Sequence, residues 1–166
     1  MARRLRPVEL DFTESAPLRL VFSTELAAPP AAVYRSLAVE LASTPAWFTA
    51  VTAAAPIDGG AGRTIRLRGG VEFRETILAT DPAARYAYRV DETNAPGLSA
   101  LLEEWALSPS GAGTRVRWTM AVDGNGPCRL AMRLARPGVG RSFRGAMRNL
   151  DLRLTPTRLP SPGTGR

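Results

Sequence analysis

The chain has 166 residues, 45% apolar and 22% charged, with a formal net charge of +7. This is the length of one domain and the composition of an ordinary globular protein, which excludes wholesale disorder, a collagen-like repeat and a membrane bundle. There is no His, no Lys and one Cys, Cys128, which excludes His-based triads, His-ligated metals, zinc knuckles, paired-cysteine redox motifs, an internal disulfide and lysine Schiff bases.

Residues 1–15 are expected to be an N-terminal extension. Its three arginines are followed by Pro7, Glu9, Asp11 and Glu14, which interrupt any apolar run of the kind a secretory signal needs. Leu18 to Leu26 alternates and is rich in β-branched and aromatic residues, which predicts a first strand. Pro29 and Pro30 suit the first turn of a helix. Val33, Leu37 and Leu41 then recur every fourth residue as one apolar stripe, and Pro45 is expected to stop it. Trp47 and Phe48 follow, either plugging the core or forming the lip of a pocket.

From Val51 the period changes to two. Strands are predicted over Val51 to Pro56, Arg63 to Arg68, Val71 to Thr80, Arg85 to Asp91, Ser99 to Ser108 and a last segment around Val116 to Val122. The turns are Asp58 to Gly62, Gly69-Gly70, Asp81-Pro82, a loop with Asn94, Pro96 and Gly97, and Gly111 to Gly113. Val139, Phe143, Met147, Leu150 and Leu154 then return to helical spacing, and Pro137 is expected to separate this helix from a lead-in carrying Leu130, Met132 and Leu134. Short turns make successive strands antiparallel neighbours, and a sheet apolar on one face needs a cover, which the C-terminal helix supplies. The folded domain is expected at 16–155, with a flexible Pro/Gly/Ser-rich tail at 156–166.

The residues Pro30-Ala-Ala-Val-Tyr-Arg-Ser-Leu37, Pro45-Ala-Trp47, Gly60-Ala-Gly-Arg-Thr64, Glu75-Thr-Ile77, Asp81-Pro82, Arg85-Tyr86, Gly113-Thr-Arg-Val-Arg-Trp118 and Leu134-Ala-Arg-Pro137 resemble the START-like, helix-grip superfamily, also called SRPBCC. Within it the likeness is to the polyketide cyclase/dehydrase and lipid-transport family, over about residues 18–154. The resemblance implies an α+β helix-grip fold: a curved antiparallel sheet of about seven strands around a long C-terminal helix, with a short helical segment after the first strand. It also implies a mostly apolar cavity between sheet and helix, in proteins that bind lipids, polyketides or sterols and in some cases act as aromatase/cyclases.

Alternation places Phe73, Glu75, Tyr86, Tyr88, Glu103, Trp105, Trp118 and Met120 on one face of the sheet. With Trp47, Phe143 and Met147 these are the candidate ligand-binding residues. An ionised carboxylate in an apolar setting is costly unless it is paired, hydrogen-bonded or protonated, so Glu75 and Glu103 need an explanation. The simplest register puts Tyr88 opposite Glu103 and Glu103 opposite Trp118, with the two carboxylates about 10 Å apart. Two readings stay open. Either the carboxylates anchor the polar head of a hydrophobic ligand, or each meets an Arg from the covering helix or sits at a wet cavity mouth as a structural pair. No catalytic residue is asserted; Glu75, Tyr88 and Glu103 are the candidates if the protein is an enzyme.

The arginines sit singly along strands or in the helical stripe Arg141, Arg144 and Arg148. That distribution points away from nucleic acid and leaves a solvated face, or docking on an acidic partner such as anionic lipid or an acidic protein. No metal and no cofactor is expected. No run is long enough to span a bilayer, and a cytoplasmic location is the default expectation. The functional alternatives are binding of a hydrophobic small molecule, a polyketide aromatase/cyclase, and a protein-interaction module with a filled core.

Overall fold

The computed structural model describes residues 1–156; the expected tail lies, from residue 157 onward, outside the described residues. In chain order the elements are β1 (Arg3–Arg4), α1 (Phe12–Ser15), β2 (Leu18–Leu26), α2 (Pro30–Tyr34), α3 (Thr44–Trp47), β3 (Val51–Ile57), β4 (Gly62–Leu67), β5 (Glu72–Asp81), β6 (Arg85–Thr93), β7 (Leu98–Ser110), β8 (Gly113–Gly124) and α4 (Gly126–Leu154). Seven strands form one antiparallel sheet in the order β2-β8-β7-β6-β5-β4-β3, and β1 pairs with the end of β6. Strands β3 to β8 are successive hairpins. The helical connection carries the chain from β2, at one edge, to β3 at the other. With α4 laid over the sheet, this is the helix-grip fold.

Two irregularities interrupt the β5–β6 pairing, at Arg74/Glu75 and Ile77/Ala79, and bulges of this kind bend a sheet. The inner face is large and aromatic. Phe143, Ala146, Met147 and Leu150 of α4 are buried against it. The outer face carries small residues, Ala100 and Ala121 beside Leu102, and is covered by Val8 and Phe12. The N-terminal segment is thus tied to the sheet, with Leu5 in the main core cluster and its N–H bonded to the Asp91 carbonyl at 2.8 Å. Asp151, near the end of α4, accepts from the backbone N–H groups of Ala27 and Ala28 at 3.0 and 2.9 Å, which ties the helix to the β2–α2 junction.

Three local expectations are corrected. The stripe Val33, Leu37 and Leu41 is buried as expected, but the helix carrying it is not uniform. α2 passes into a π-turn over Arg35–Val39 and a 3-10 turn over Leu41–Ser43. Pro45 does not stop a helix; it opens the short α3, where its missing N–H has no partner to lose. Pro137 does not divide the C-terminal helix. α4 runs unbroken through it, capped at its start by Asn125 Oδ1 accepting from Cys128 N at 2.9 Å. Pro137 and Arg133 are exposed, so the carbonyl that loses its donor can turn to water.

Candidate functional site

A cavity of about 430 Å³ lies between the inner face of the sheet and the first half of α4. Its walls come from Trp47 and Phe48 after α2, from Ile65, Phe73 and Leu101 on the strands, and from Cys128, Met132 and Val139 on the helix. Such a volume suits a drug-sized molecule. Loop residue Pro96 and helix residue Ala131 both line the cavity and are both exposed, which locates its mouth between the β6–β7 loop and the start of α4.

One wall is a set of stacked rings. Trp105 and Trp118, cross-strand partners on β7 and β8, stack at 5.0 Å between centroids with 13° between planes. Phe143 supports both from behind at 6.1 and 5.9 Å, and Phe48 meets Trp118 edge-on at 6.0 Å. The Trp47 ring stacks on Phe48 at 5.8 Å. Its Nε1 is the one fully enclosed side-chain polar atom without a partner among the described residues.

The floor is polar. Arg63 of β4 and Glu75 of β5 are cross-strand partners, and Arg63 Nε donates to Glu75 Oε2 at 2.5 Å. The Arg63 guanidinium carbon lies 3.6 Å from the centre of the Tyr88 ring, within the range of a cation–π contact. Tyr88 Oη donates to Glu103 Oε2 at 2.7 Å, accepts from Trp105 Nε1 at 2.9 Å, and Trp118 Nε1 donates to the same carboxylate oxygen at 3.1 Å. Arg63, Glu75 and Glu103 are only 7%, 2% and 8% exposed. Two acids therefore share one cation in a place with little water.

That imbalance sets the proton affinities. Burial pushes the Glu75 carboxyl up to about 7 against the pull of Arg63, and the charge of Glu103 adds to the rise. Burial likewise raises Glu103, against hydrogen bonds from Tyr88 and Trp118 and the attraction of Arg63. For Arg63, burial alone would lower proton affinity, but Glu75 and the two tyrosines outweigh it and the guanidinium stays charged. Tyr88, raised first by burial, stays a neutral phenol and so a donor. Near neutrality the floor holds a proton that an exposed carboxylate would have released.

Of the residues expected to bind a ligand, Trp47, Phe73, Glu75, Tyr88, Glu103, Trp105, Trp118 and Met120 line the cavity. Tyr86, Phe143 and Met147 do not; they are 2%, 1% and 1% exposed and packed into the core. Tyr88 stands opposite Glu103 as expected, whereas Glu103 stands opposite Met120 and Trp118 opposite Trp105. The hairpin turn is two residues, with Ser110 paired to Gly113 and Gly111 at φ +58°, so the register differs by two from the simple count. Trp118 reaches Glu103 diagonally instead. The Arg paired with Glu75 comes from β4, not from the covering helix. Arg63 was missed, although in the run Arg63-Thr-Ile65-Arg-Leu67 it shares its parity with Ile65 and Leu67, which also line the cavity.

Comparison with known proteins places this architecture. An uncharacterized protein of Mycobacterium tuberculosis and one of Mycobacterium bovis are each 31% identical over 148 residues, covering 86% of this chain and 88% of theirs. Among solved structures, ginseng major latex-like protein 151 from Panax ginseng shares the fold with a TM-score of 0.67 at 12% identity, covering 84% of this chain and 98% of that one. A START superfamily protein from Mycobacterium smegmatis gives 0.64 at 11% identity, covering 82% and 96%. The di-domain ARO/CYC BexL from the BE-7585A biosynthetic pathway gives 0.71 at 22%, covering 84% of this chain and 48% of that one. The sequence profile of the family described as "Polyketide cyclase / dehydrase and lipid transport" matches residues 17–155, nearly the whole sheet together with α4, and the chain belongs to that family.

Proposed function

We propose that the protein binds a hydrophobic small molecule in the cavity between sheet and helix, with a neutral hydrogen-bonding group of that molecule set against Glu103 and Glu75. One observation carries this reading: an apolar, ring-lined cavity ends on a buried floor in which two carboxyls share one arginine. A carboxylate or phosphate head would be repelled there, because the cation it needs is already paired with Glu75. A hydroxyl or phenol can donate to a carboxylate oxygen or accept from a protonated one. The aromatic wall favours a planar or polycyclic body.

The test is a titration of 1-naphthol against 1-naphthoate, and of 1-dodecanol against dodecanoate, following the fluorescence of Trp47, Trp105 and Trp118. The neutral member of each pair is expected to bind at least about tenfold more tightly at pH 8, a difference that Glu103→Gln shrinks. Equal binding of both members removes the head-group assignment. No response to any of the four removes the cavity reading and leaves a protein-interaction module.

The proton retained on the floor also favours a second reading, a polyketide cyclase. In an aldol closure a protonated Glu gives its proton to the carbonyl oxygen as the enol carbon attacks, and the carboxylate so formed takes up the proton that the enol hydroxyl releases. Turnover of a poly-β-ketone that is lost in Glu103→Gln, while naphthol binding persists, is the result expected of that reading. Turnover unchanged in that variant removes Glu103 from the chemistry.

A further inference from the structure

The positive charge of the molecule is concentrated on one element. α4 carries seven arginines and a single acidic residue, Asp151, a net +6 of the chain's +7; the rest, with fifteen arginines and fourteen acidic residues, is nearly neutral. Asp151 is turned to the backbone of Ala27 and Ala28. Among the described residues only Arg129 of α4 has a carboxylate within 4 Å, Asp123 at 3.7 Å. Arg133, Arg136, Arg141, Arg144 and Arg148 are all exposed.

Large apolar side chains stand among these arginines. Leu130, Leu134 and Leu152 are 56%, 74% and 63% exposed, three of the five large hydrophobic residues most exposed in the described chain. Leu130, Leu134, Arg141, Arg148 and Leu152 are separated by 4, 7, 7 and 4 residues, which puts them on one face of the helix. A helix of this length extends about 43 Å, so the face is long and straight. Exposed Ala131, about 60° around the helix from Leu134, lines the cavity at its mouth, while Met132 faces the core.

We propose that this outward face of α4 docks the protein on an anionic lipid surface, with the cavity mouth beside the bilayer. Arginines supply the attraction to anionic head groups and extend their charged ends outward while their stems stay apolar; leucines on the same face enter the head-group boundary. Nucleic acid would match the arginines and leave the leucines in water. A bilayer meets both, and a cavity mouth beside the contact shortens the path of an apolar ligand through water. The proposal does not depend on which molecule the cavity takes.

The test is co-sedimentation of the full chain with vesicles of phosphatidylcholine alone and of phosphatidylcholine mixed with phosphatidylglycerol, at low and at high salt. Binding is expected only to the mixed vesicles and is expected to weaken in high salt. The triple variant Arg141→Gln, Arg144→Gln, Arg148→Gln should bind about 100-fold more weakly, while the corresponding triple exchange to Lys retains binding. Leu130→Gln with Leu134→Gln, which leaves every charge in place, should weaken binding about tenfold. Thermal midpoints equal to that of the parent protein identify folded variants. Failure to bind mixed vesicles at low salt overturns the proposal, as does binding that neither set of substitutions changes. Retention on duplex DNA or on an acidic protein, with no vesicle binding, overturns it in favour of those partners.

Discussion

The guanidinium of Arg63 stands 3.6 Å from the centre of the Tyr88 ring, and the Tyr88 hydroxyl donates to Glu103 at 2.7 Å. One side chain of β6 thereby connects a cation on β4 with an acid on β7. Glu75 and Glu103 lie two strands apart, roughly 10 Å by strand spacing, and each feels the same arginine: Glu75 through a direct bond, Glu103 through space. The floor behaves as one titrating unit rather than as two separate acids.

The consequence is a stability that falls as pH rises. Folding raises the proton affinity of Glu75 from the ordinary 4.5 to about 7, so between those values the folded protein binds more protons than the unfolded chain. Stabilisation from this group is complete below about pH 4.5 and is lost by about pH 7, a change on the order of 3 kcal/mol. Glu103, also raised, acts in the same direction. Glu75→Gln removes the titration. Urea denaturation at pH 4.5 and pH 8 should show the variant gaining on the parent protein as pH rises, and parallel pH profiles would count against a shared proton on the floor.

Tyr88→Phe isolates the middle of the network. The ring and its contact with Arg63 remain, but Glu103 loses a donor and Trp105 Nε1 loses its acceptor. A buried N–H without a partner costs about 1–3 kcal/mol. The expected result is a loss of that size in chemical denaturation, accompanied by a change in tryptophan emission, because Trp105 stacks on Trp118. Unchanged stability and emission would mean that the Trp105–Tyr88–Glu103 chain of hydrogen bonds does not persist in solution.

The sequence makes the inner face legible and leaves its contents open. Alternation alone sets Tyr88 beside Glu103, and hairpin counting pairs them correctly because the β6–β7 register follows the simplest arrangement. The same counting misplaces Trp118 by two residues, since turn length at Gly111-Ala112 depends on a left-handed glycine that composition only hints at. Periodicity states which side chains point inward; it does not state whether they enclose a void. Phe143 and Met147 follow the helical stripe and fill the core, while Cys128, Met132 and Val139 line the cavity. Cys128 and Met132 escape notice because Pro137 reads as the start of the helix. Arg63 is inward by parity, yet an arginine among arginines on an alternating strand reads as surface until its cross-strand carboxylate is seen.

Asp151 tests how the helix is held. Its two carboxylate oxygens accept from Ala27 N and Ala28 N, charge-assisted bonds just past the end of β2, where Thr114 Oγ1 also donates to the Ala28 carbonyl at 2.7 Å. Asp151→Ala removes both and leaves two backbone donors to find water, for a loss of about 2–4 kcal/mol. Asp151→Asn keeps one acceptor oxygen and is expected to fall between. Thermal denaturation orders the three proteins, and equal midpoints for all three would show that the junction does not depend on Asp151.

Pro137 invites the opposite experiment. It lies inside α4, where proline lacks the N–H that would reach the Arg133 carbonyl and where its ring crowds that same carbonyl. The helix nevertheless continues, because its second half is fixed by Phe143, Ala146, Met147 and Leu150 in the core and its first half by the Asn125 cap. Pro137→Ala restores the bond and removes the crowding, worth up to about 3 kcal/mol. The variant also frees the unfolded chain, which offsets roughly 0.4–1 kcal/mol. A net gain of about 1–2 kcal/mol in urea denaturation is therefore expected. Hydrogen exchange locates it: protection should rise over residues 126–138, which include the cavity-lining Cys128, Ala131 and Met132, and stay constant over 139–154. A gain spread evenly along the helix, or a loss, would show that the proline imposes no local weakness there.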